Sequence, residues 1–144
     1  MPNNIRNKLQ FIGDKKEVEE IRKFIRSKEH VIDFNKIIKM PDEILEAYET
    51  DCNESWYDWC VENWGTKWDA YDEYADVYDY SIIKFSTATN PPFKIIKELS
   101  RKFPTITLKH SFLTDPIDKF RASCNVIKNG IIIEEFEIPT IYEF

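Results

Sequence analysis

The side chains best suited to chemistry in this sequence are five closely spaced carboxylates, Asp69, Asp72, Glu73, Asp76 and Asp79. Carboxylate oxygens are the ligands that Mg²⁺ prefers, so a carboxylate-dependent metal hydrolase or nuclease is one interpretation. Such an enzyme needs its carboxylates on a rigid scaffold in a pocket, whereas this spacing is more typical of a solvated turn. We therefore expect no catalytic residue, metal site or cofactor, and keep the enzyme as the alternative.

Histidine and cysteine offer no better metal site. His30 and His110 are the only histidines, and Cys52 and Cys60 lie too far apart for a zinc-binding pair. Cys124 makes the cysteine number odd, which favours free, buried thiols in a reducing compartment. The three glycines leave no phosphate-binding glycine loop and no nucleophile elbow.

Acidic and aromatic side chains are concentrated in the middle of the chain. Residues 41–80 carry thirteen Asp and Glu but one Lys, a net charge of −12, against −6 for the whole sequence. A solvated face normally mixes both signs, and tyrosine suits docking because it offers apolar area and a polar tip. These charges either pair with the protein's own basic helices or face a basic host protein. The second interpretation predicts an interaction surface comprising Asp69, Tyr71, Asp72, Glu73, Tyr74, Asp76 and Tyr78.

The first elements that would position this surface are a strand and a helix. Apolar residues alternate over Ile5–Phe11, which predicts a strand. Asp14 is a candidate N-cap, and Glu17 completes a capping box ahead of an apolar helical stripe that ends at Ile25. The β-branched stretch Val31–Ile38 predicts a second strand.

The middle of the chain predicts two helices and a short strand. Pro41 is well placed in the first turn of a helix, and a break follows near Asp51. A second apolar stripe continues to Trp64, and Gly65 suits the left-handed residue after a helix. A short strand through Trp68 would then lead into a polar turn.

The second half repeats the strand–helix–strand pattern. A strand is predicted over Tyr80–Thr87, and Asn90 is a candidate N-cap of a helix that Pro104 ends. A further strand is predicted over 105–112. Asn129-Gly130 is a strong signal for a tight turn, so we predict a C-terminal β-hairpin over Phe120–Phe136.

Two βαβ units of this kind predict an α+β fold, a ferredoxin-like split βαβ sandwich. We expect a single domain over residues 1–144, with an acidic helical and hairpin insert over roughly 41–79 between the two halves. No apolar run approaches the ~20 residues that a membrane-spanning helix needs, and the polar start lacks a secretory signal. The expected location is the cytoplasm.

One polar residue falls on the core-facing side of the first strand. Asn7 needs a hydrogen-bond partner there, and Thr66, Asp69 or a backbone group of the same turn could supply one, with a ligand-binding amide as the alternative. Large rings usually serve the core, so we interpret the nearby tryptophans as pinning the insert to the sheet, with an aromatic ligand clamp as the alternative. The predicted structural motif comprises Asn7, Asn63, Trp64, Gly65, Thr66 and Trp68.

Two blocks resemble a known family. NWGTKWDA at Asn63–Ala70 and FSTATNPP at Phe85–Pro92 are similar to the YubB/Api-like family of small ferredoxin-like proteins from phages and plasmids. The chain departs from the family pattern at Asn4 and Ile5, where Trp and Cys are usual, and at Thr89, where Trp is usual. The resemblance implies a ferredoxin-like fold and a mobile-element origin, and it implies no particular activity.

A nucleic-acid binder is a weaker third interpretation. It would use the open face of the sheet and the basic first helix, which carries Lys15, Lys16, Arg22, Lys23 and Arg26. The aromatic signature of RNA-binding sheets is missing, and the net negative charge opposes phosphate binding. We therefore expect no nucleic-acid partner, and the sequence leaves the oligomeric state open.

Overall fold

The computed structural model describes residues 4–51, 53–114 and 121–139. Within these ranges the chain forms six strands and five helices. In chain order they are β1 (Asn4–Ile12), α1 (Lys15–Ile25), α2 (Phe34–Ile37), α3 (Asp42–Thr50), α4 (Ser55–Asn63), β2 (Tyr71–Ala75), β3 (Ile82–Ala88), α5 (Phe93–Lys102), β4 (Thr107–Thr114), β5 (Arg121–Lys128) and β6 (Ile131–Pro139).

The strands form one antiparallel sheet in the order β2-β3-β1-β4-β5-β6. The first four positions are those of a split βαβ sandwich, in which β1 lies between the two strands of the second half. The β5–β6 hairpin extends the sheet beyond β4. The predicted α+β, ferredoxin-like fold class is confirmed.

Helices α1 and α5 pack on one face of this sheet. Their apolar stripes join the inward side chains of β1, β3 and β4 in one hydrophobic core, which includes Leu9, Val18, Ile21, Ile83 and Leu99. The predicted N-cap is present, because the carboxylate of Asp14 accepts a hydrogen bond from the Glu17 backbone at 2.8 Å. Within the described residues, no helix is both long and apolar enough to cross a membrane.

The prediction of a strand over Val31–Ile38 is wrong. This segment contains the short helix α2, and Ile32, Phe34 and Ile37 are buried in the core. Asp33 caps the helix by accepting a hydrogen bond from the Asn35 backbone at 2.9 Å. The β propensity of a run is a weak preference, and burial of three apolar side chains overrides it here.

The insert lies at a different place in the fold from the one predicted. Helices α2, α3 and α4 lie between α1 and β2, and therefore inside the first βαβ half rather than between the halves. The segment through Trp68 is a series of bends, and the edge strand begins only at Tyr71. The N-cap position of helix α5 is Pro92, which makes no side-chain capping hydrogen bond. It is not Asn90, whose carbonyl accepts a hydrogen bond from the Thr87 hydroxyl at 2.8 Å.

The C-terminal hairpin has the predicted turn. Asn129 and Gly130 have φ angles of 50° and 75°, which both central residues of a type I′ turn require. A side chain at Gly130 would also collide with Arg101, whose Cγ lies 2.7 Å from the position of an added Cβ. The hairpin's predicted start at Phe120 lies outside the described residues.

Candidate functional site

Asp69, at the start of the predicted interaction surface, points into the protein. Its Oδ1 accepts hydrogen bonds from the backbone of Phe34 at 3.1 Å and of Ala70 at 2.7 Å. Burial, reinforced by the charge of Asp33, raises the pKa of Asp69 to about 7. The expectation that Asp69 faces solvent is therefore wrong, because backbone N–H groups hold its carboxylate inside.

Glu73 is turned inward in the same way. One carboxylate oxygen lies 2.8 Å from Nδ1 of His30, the other accepts a hydrogen bond from the Ile32 backbone at 3.1 Å, and the side chain is only 10% exposed. Burial alone would lower the pKa of His30, but the hydrogen bond and charge of Glu73 outweigh it and raise that pKa. Asp69, just before β2, and Glu73, within it, together attach the loop at 30–34 to this edge of the sheet. Glu73 therefore also departs from its predicted place.

The remaining predicted surface residues lie at the edge strand and its turn. Asp76 accepts backbone hydrogen bonds from Tyr78 at 2.8 Å and Asp79 at 3.0 Å, so its carboxylate shapes the turn. Tyr74 is 54% exposed and Tyr78 97% exposed. Asp72 is also exposed, whereas Tyr71 is half-buried and donates its hydroxyl to the side chain of Asn4.

The larger acidic surface is on α3, α4 and the turn between them, and it is not part of the predicted interaction surface. Its eight carboxylates are all exposed, and no Lys or Arg occurs between residues 42 and 66. The one-sided charge of this stretch was the available signal. This helical acidic surface comprises Asp42, Glu43, Glu46, Glu49, Asp51, Glu54, Asp58 and Glu62.

Trp64 anchors this helical pair to the core. It is 1% exposed, and its indole Nε1 donates to the Ile38 carbonyl at 2.9 Å. Its ring packs edge-on against Trp59 and Phe34, with centroid distances of 5.3 and 5.7 Å. Just before it, the Asn63 amide donates to the Trp59 carbonyl at 2.9 Å, an i−4 bond that caps the end of α4.

Trp68 is placed differently from Trp64. Gly65 takes a φ of 79° after the helix, and buried Thr66 donates its hydroxyl to the Trp68 carbonyl at 2.7 Å. Trp68 itself is half-buried, with the Lys67 ammonium 5.5 Å from the ring centroid. Of the two tryptophans predicted to pin the insert, Trp64 is buried in the core and Trp68 is only half-buried.

Asn7 is buried and fully engaged, but not with the predicted partners. Its amide nitrogen donates to the Thr87 hydroxyl at 3.1 Å, and its oxygen accepts from Nε2 of His110 at 2.8 Å. Burial lowers the pKa of His110 to about 3, so the ring is neutral. The prediction of Thr66 or Asp69 is wrong because β1 is flanked by β3 and β4, which bring Thr87 and His110 beside it.

The structure describes two of the three cysteines. Cys60 and Cys124 are buried, and burial raises the pKa of the Cys60 thiol to about 12, whereas Cys52 lies outside the described residues. Across residues 4–51, 53–114 and 121–139, no group of three His, Cys, Asp or Glu could hold a metal ion.

Comparison with known structures supports the fold. The crystal structure of Api92 from Yersinia pseudotuberculosis matches with a TM-score of 0.56 and 16% sequence identity. The match covers 74% of this chain and 39% of that chain, so the present chain spans about two fifths of that structure's length. No curated protein matches this sequence.

A family model also matches the chain. Residues 63–140 match the family model described as "Ferredoxin-like domain in Api92-like protein". That segment includes β2, β3, α5, β4, β5 and β6, and the sheet inserts β1 from outside the matched segment between β3 and β4. The matched part is more than half of the sequence. The chain therefore belongs to the Api92-like family that this ferredoxin-like domain defines.

Proposed function

We propose that this protein is a small binding module that docks a basic partner protein on its helical acidic surface. The module is one domain over residues 1–144, carried by a phage or plasmid and acting in the host cytoplasm. The origin is supported by the resemblance of the NWGTKWDA and FSTATNPP blocks to phage and plasmid proteins. The docking role is supported by the charge of α3 and α4.

The observation that carries the proposal is the uniform sign of an exposed surface. All eight carboxylates of the helical acidic surface are exposed, and no cation lies between them in sequence. Like charges this close repel one another, which costs the fold stability rather than supporting it. Such a surface is best explained by a partner that supplies the opposite charge.

Aromatic and apolar groups border these carboxylates. Trp56, Tyr57 and Trp59 are half-buried on α4, and Val61 is 43% exposed. Interfaces commonly combine such side chains with charges that steer the partner into place. The association rate should therefore fall as salt screens the carboxylates.

The proposal is tested by neutralising four carboxylates without changing their size. The variant carries Glu46→Gln, Glu49→Gln, Asp58→Asn and Glu62→Gln, and capture from host lysate is followed by identification of the bound proteins. A matched control carries Glu19→Gln, Glu20→Gln, Glu29→Gln and Glu134→Gln, all at exposed positions elsewhere. Basic proteins should be lost with the first variant and retained with the control. Equal capture by both variants would contradict the docking role.

The turn after β2 is a second candidate contact for the same partner. Tyr78 is 97% exposed and Val77 86% exposed, so two large side chains project from one turn. Replacing both by Ser should weaken capture without lowering the melting temperature. The carboxylate-dependent enzyme has less support, because Asp69 and Glu73 are engaged with backbone N–H groups.

A further inference from the structure

The sheet face opposite α1 and α5 is positively charged over β1, β3 and β4. Residues directly opposite each other in an antiparallel pair share a face, and Lys8 stands opposite Lys84. In the same register Arg6 stands opposite Ser86, and Gln10 opposite Lys109. Three strands that are distant in sequence thus place four cations on one face, which we call the cationic sheet face (Arg6, Lys8, Lys84 and Lys109).

An aromatic pocket adjoins this face at the edge strand. Tyr74 lies opposite Lys84 in the register, and the ladder between Tyr71 and Tyr74 is interrupted by a bulge at which Asp72 takes a φ of 48°. Bulges re-aim side chains and are frequent beside functional sites. The bulge borders a cavity of about 190 Å³ lined by Arg6, Asp72, Tyr74, Lys84, Phe85 and Ser86.

The groups around this cavity match the parts of a nucleotide. Arg6 and Lys84 can hold a phosphate between them, and the Ser86 hydroxyl can donate to the same oxygens. Tyr74, at 54% exposure, offers a ring face on which a base can stack. Asp72 opposes an anion, so its carboxylate lowers the affinity of the pocket.

We propose that the cationic sheet face binds single-stranded nucleic acid, with one phosphate between Arg6 and Lys84 and its base on Tyr74. A sheet face with an exposed aromatic ring suits splayed bases, whereas the stacked bases of a duplex present no ring faces. The remaining cations, Lys8 and Lys109, lie on adjacent strands and continue the track for the phosphate backbone. This role is separate from the docking role of the helical acidic surface, and it reverses the expectation drawn from net charge.

The test measures fluorescence anisotropy of labelled single-stranded DNA and RNA of about 15 nucleotides, at about 50 and 200 mM salt. Arg6→Gln with Lys84→Gln should weaken binding at least tenfold and, because one phosphate contact is lost, reduce the slope of log K against log salt by about 0.7. Tyr74→Ala should weaken binding about tenfold, and Asp72→Asn should strengthen it. The matched control is Lys16→Gln with Lys23→Gln, two exposed lysines on α1.

Each result decides for or against the proposal. Wild-type binding that falls with salt and with the Arg6/Lys84 variant, but not with the α1 control, supports it. Equal losses of affinity in the two double variants would show that binding depends only on overall positive charge. Equal affinity for duplex DNA or poly-L-glutamate would show that bases are not recognised. No binding by the folded wild-type protein at about 50 mM salt would overturn it. Circular dichroism of each variant establishes that it is folded.

Discussion

Two acidic stretches of similar composition serve this protein in different ways. The carboxylates of the helical acidic surface are exposed, whereas Asp69, Glu73 and Asp76 accept hydrogen bonds from backbone N–H groups. The second group holds a loop and a turn in place. Charge counted along the sequence is therefore a poor guide to which carboxylates a partner could meet.

The difference follows from how many backbone N–H groups lack a carbonyl partner in each region. Within a helix most N–H groups find a carbonyl four residues back, so side chains on α3 and α4 have little backbone to bind. The segment at 30–34 precedes a four-residue helix and joins no ladder, so its buried N–H groups need other acceptors. Asp69 and Glu73 meet this need, and a loop rich in β-branched residues becomes part of the core.

The largest effect is expected at Trp64, which attaches the helical acidic surface to the rest of the molecule. Trp64→Ala should lower the free energy of unfolding by about 3–5 kcal/mol, because it empties a large buried site. Trp68→Ala should cost clearly less, since Trp68 is half-buried. Chemical denaturation of both variants measures the difference. Equal losses would mean that the two rings contribute alike and that the helices do not depend on Trp64.

The second largest effect is expected at Asp69, compared with an exposed carboxylate of the helical acidic surface. Asp69→Ala leaves the N–H groups of Phe34 and Ala70 without their acceptor and should cost about 1–3 kcal/mol. Asp58→Ala, at an exposed position on α4, should change stability by less than about 0.5 kcal/mol. Urea denaturation measures the free energy of unfolding of both variants. A similar loss for the two would contradict the view that Asp69, unlike Asp58, holds backbone groups in place.

A smaller effect is expected from pH. The pKa values of Asp69 and His30 are both raised in the folded state, so each contributes stability that is present below its unfolded pKa and lost as pH rises through its folded pKa. Between about pH 5 and pH 8, acidification should therefore stabilise the protein, by an amount on the order of 1 kcal/mol. Asp69→Asn keeps an acceptor oxygen but does not titrate, so most of this change should disappear. A melting temperature that falls on acidification in this range would contradict the assignment.

Local signals in the sequence predict much of the fold. The N-cap at Asp14, the positive φ at Gly65 and the Asn129-Gly130 turn each depend on a few neighbouring residues, and the alternating strands specify which side faces the core. Together these features predict the α+β, ferredoxin-like fold class. The same local signals mislead over Val31–Ile38, where propensity favours a strand and burial imposes a helix.

The tertiary structure decided which polar residues meet. Asn7 hydrogen-bonds to Thr87 and His110, eighty and more positions away, because β1 is inserted between β3 and β4. The same insertion places Lys8 opposite Lys84 and gathers a cationic face within a chain of net charge −6. The sequence by itself determined most of the elements, since caps and turns act over a few residues. Strand order and register determined the surfaces, because they join residues whose separation along the chain carries no local signal.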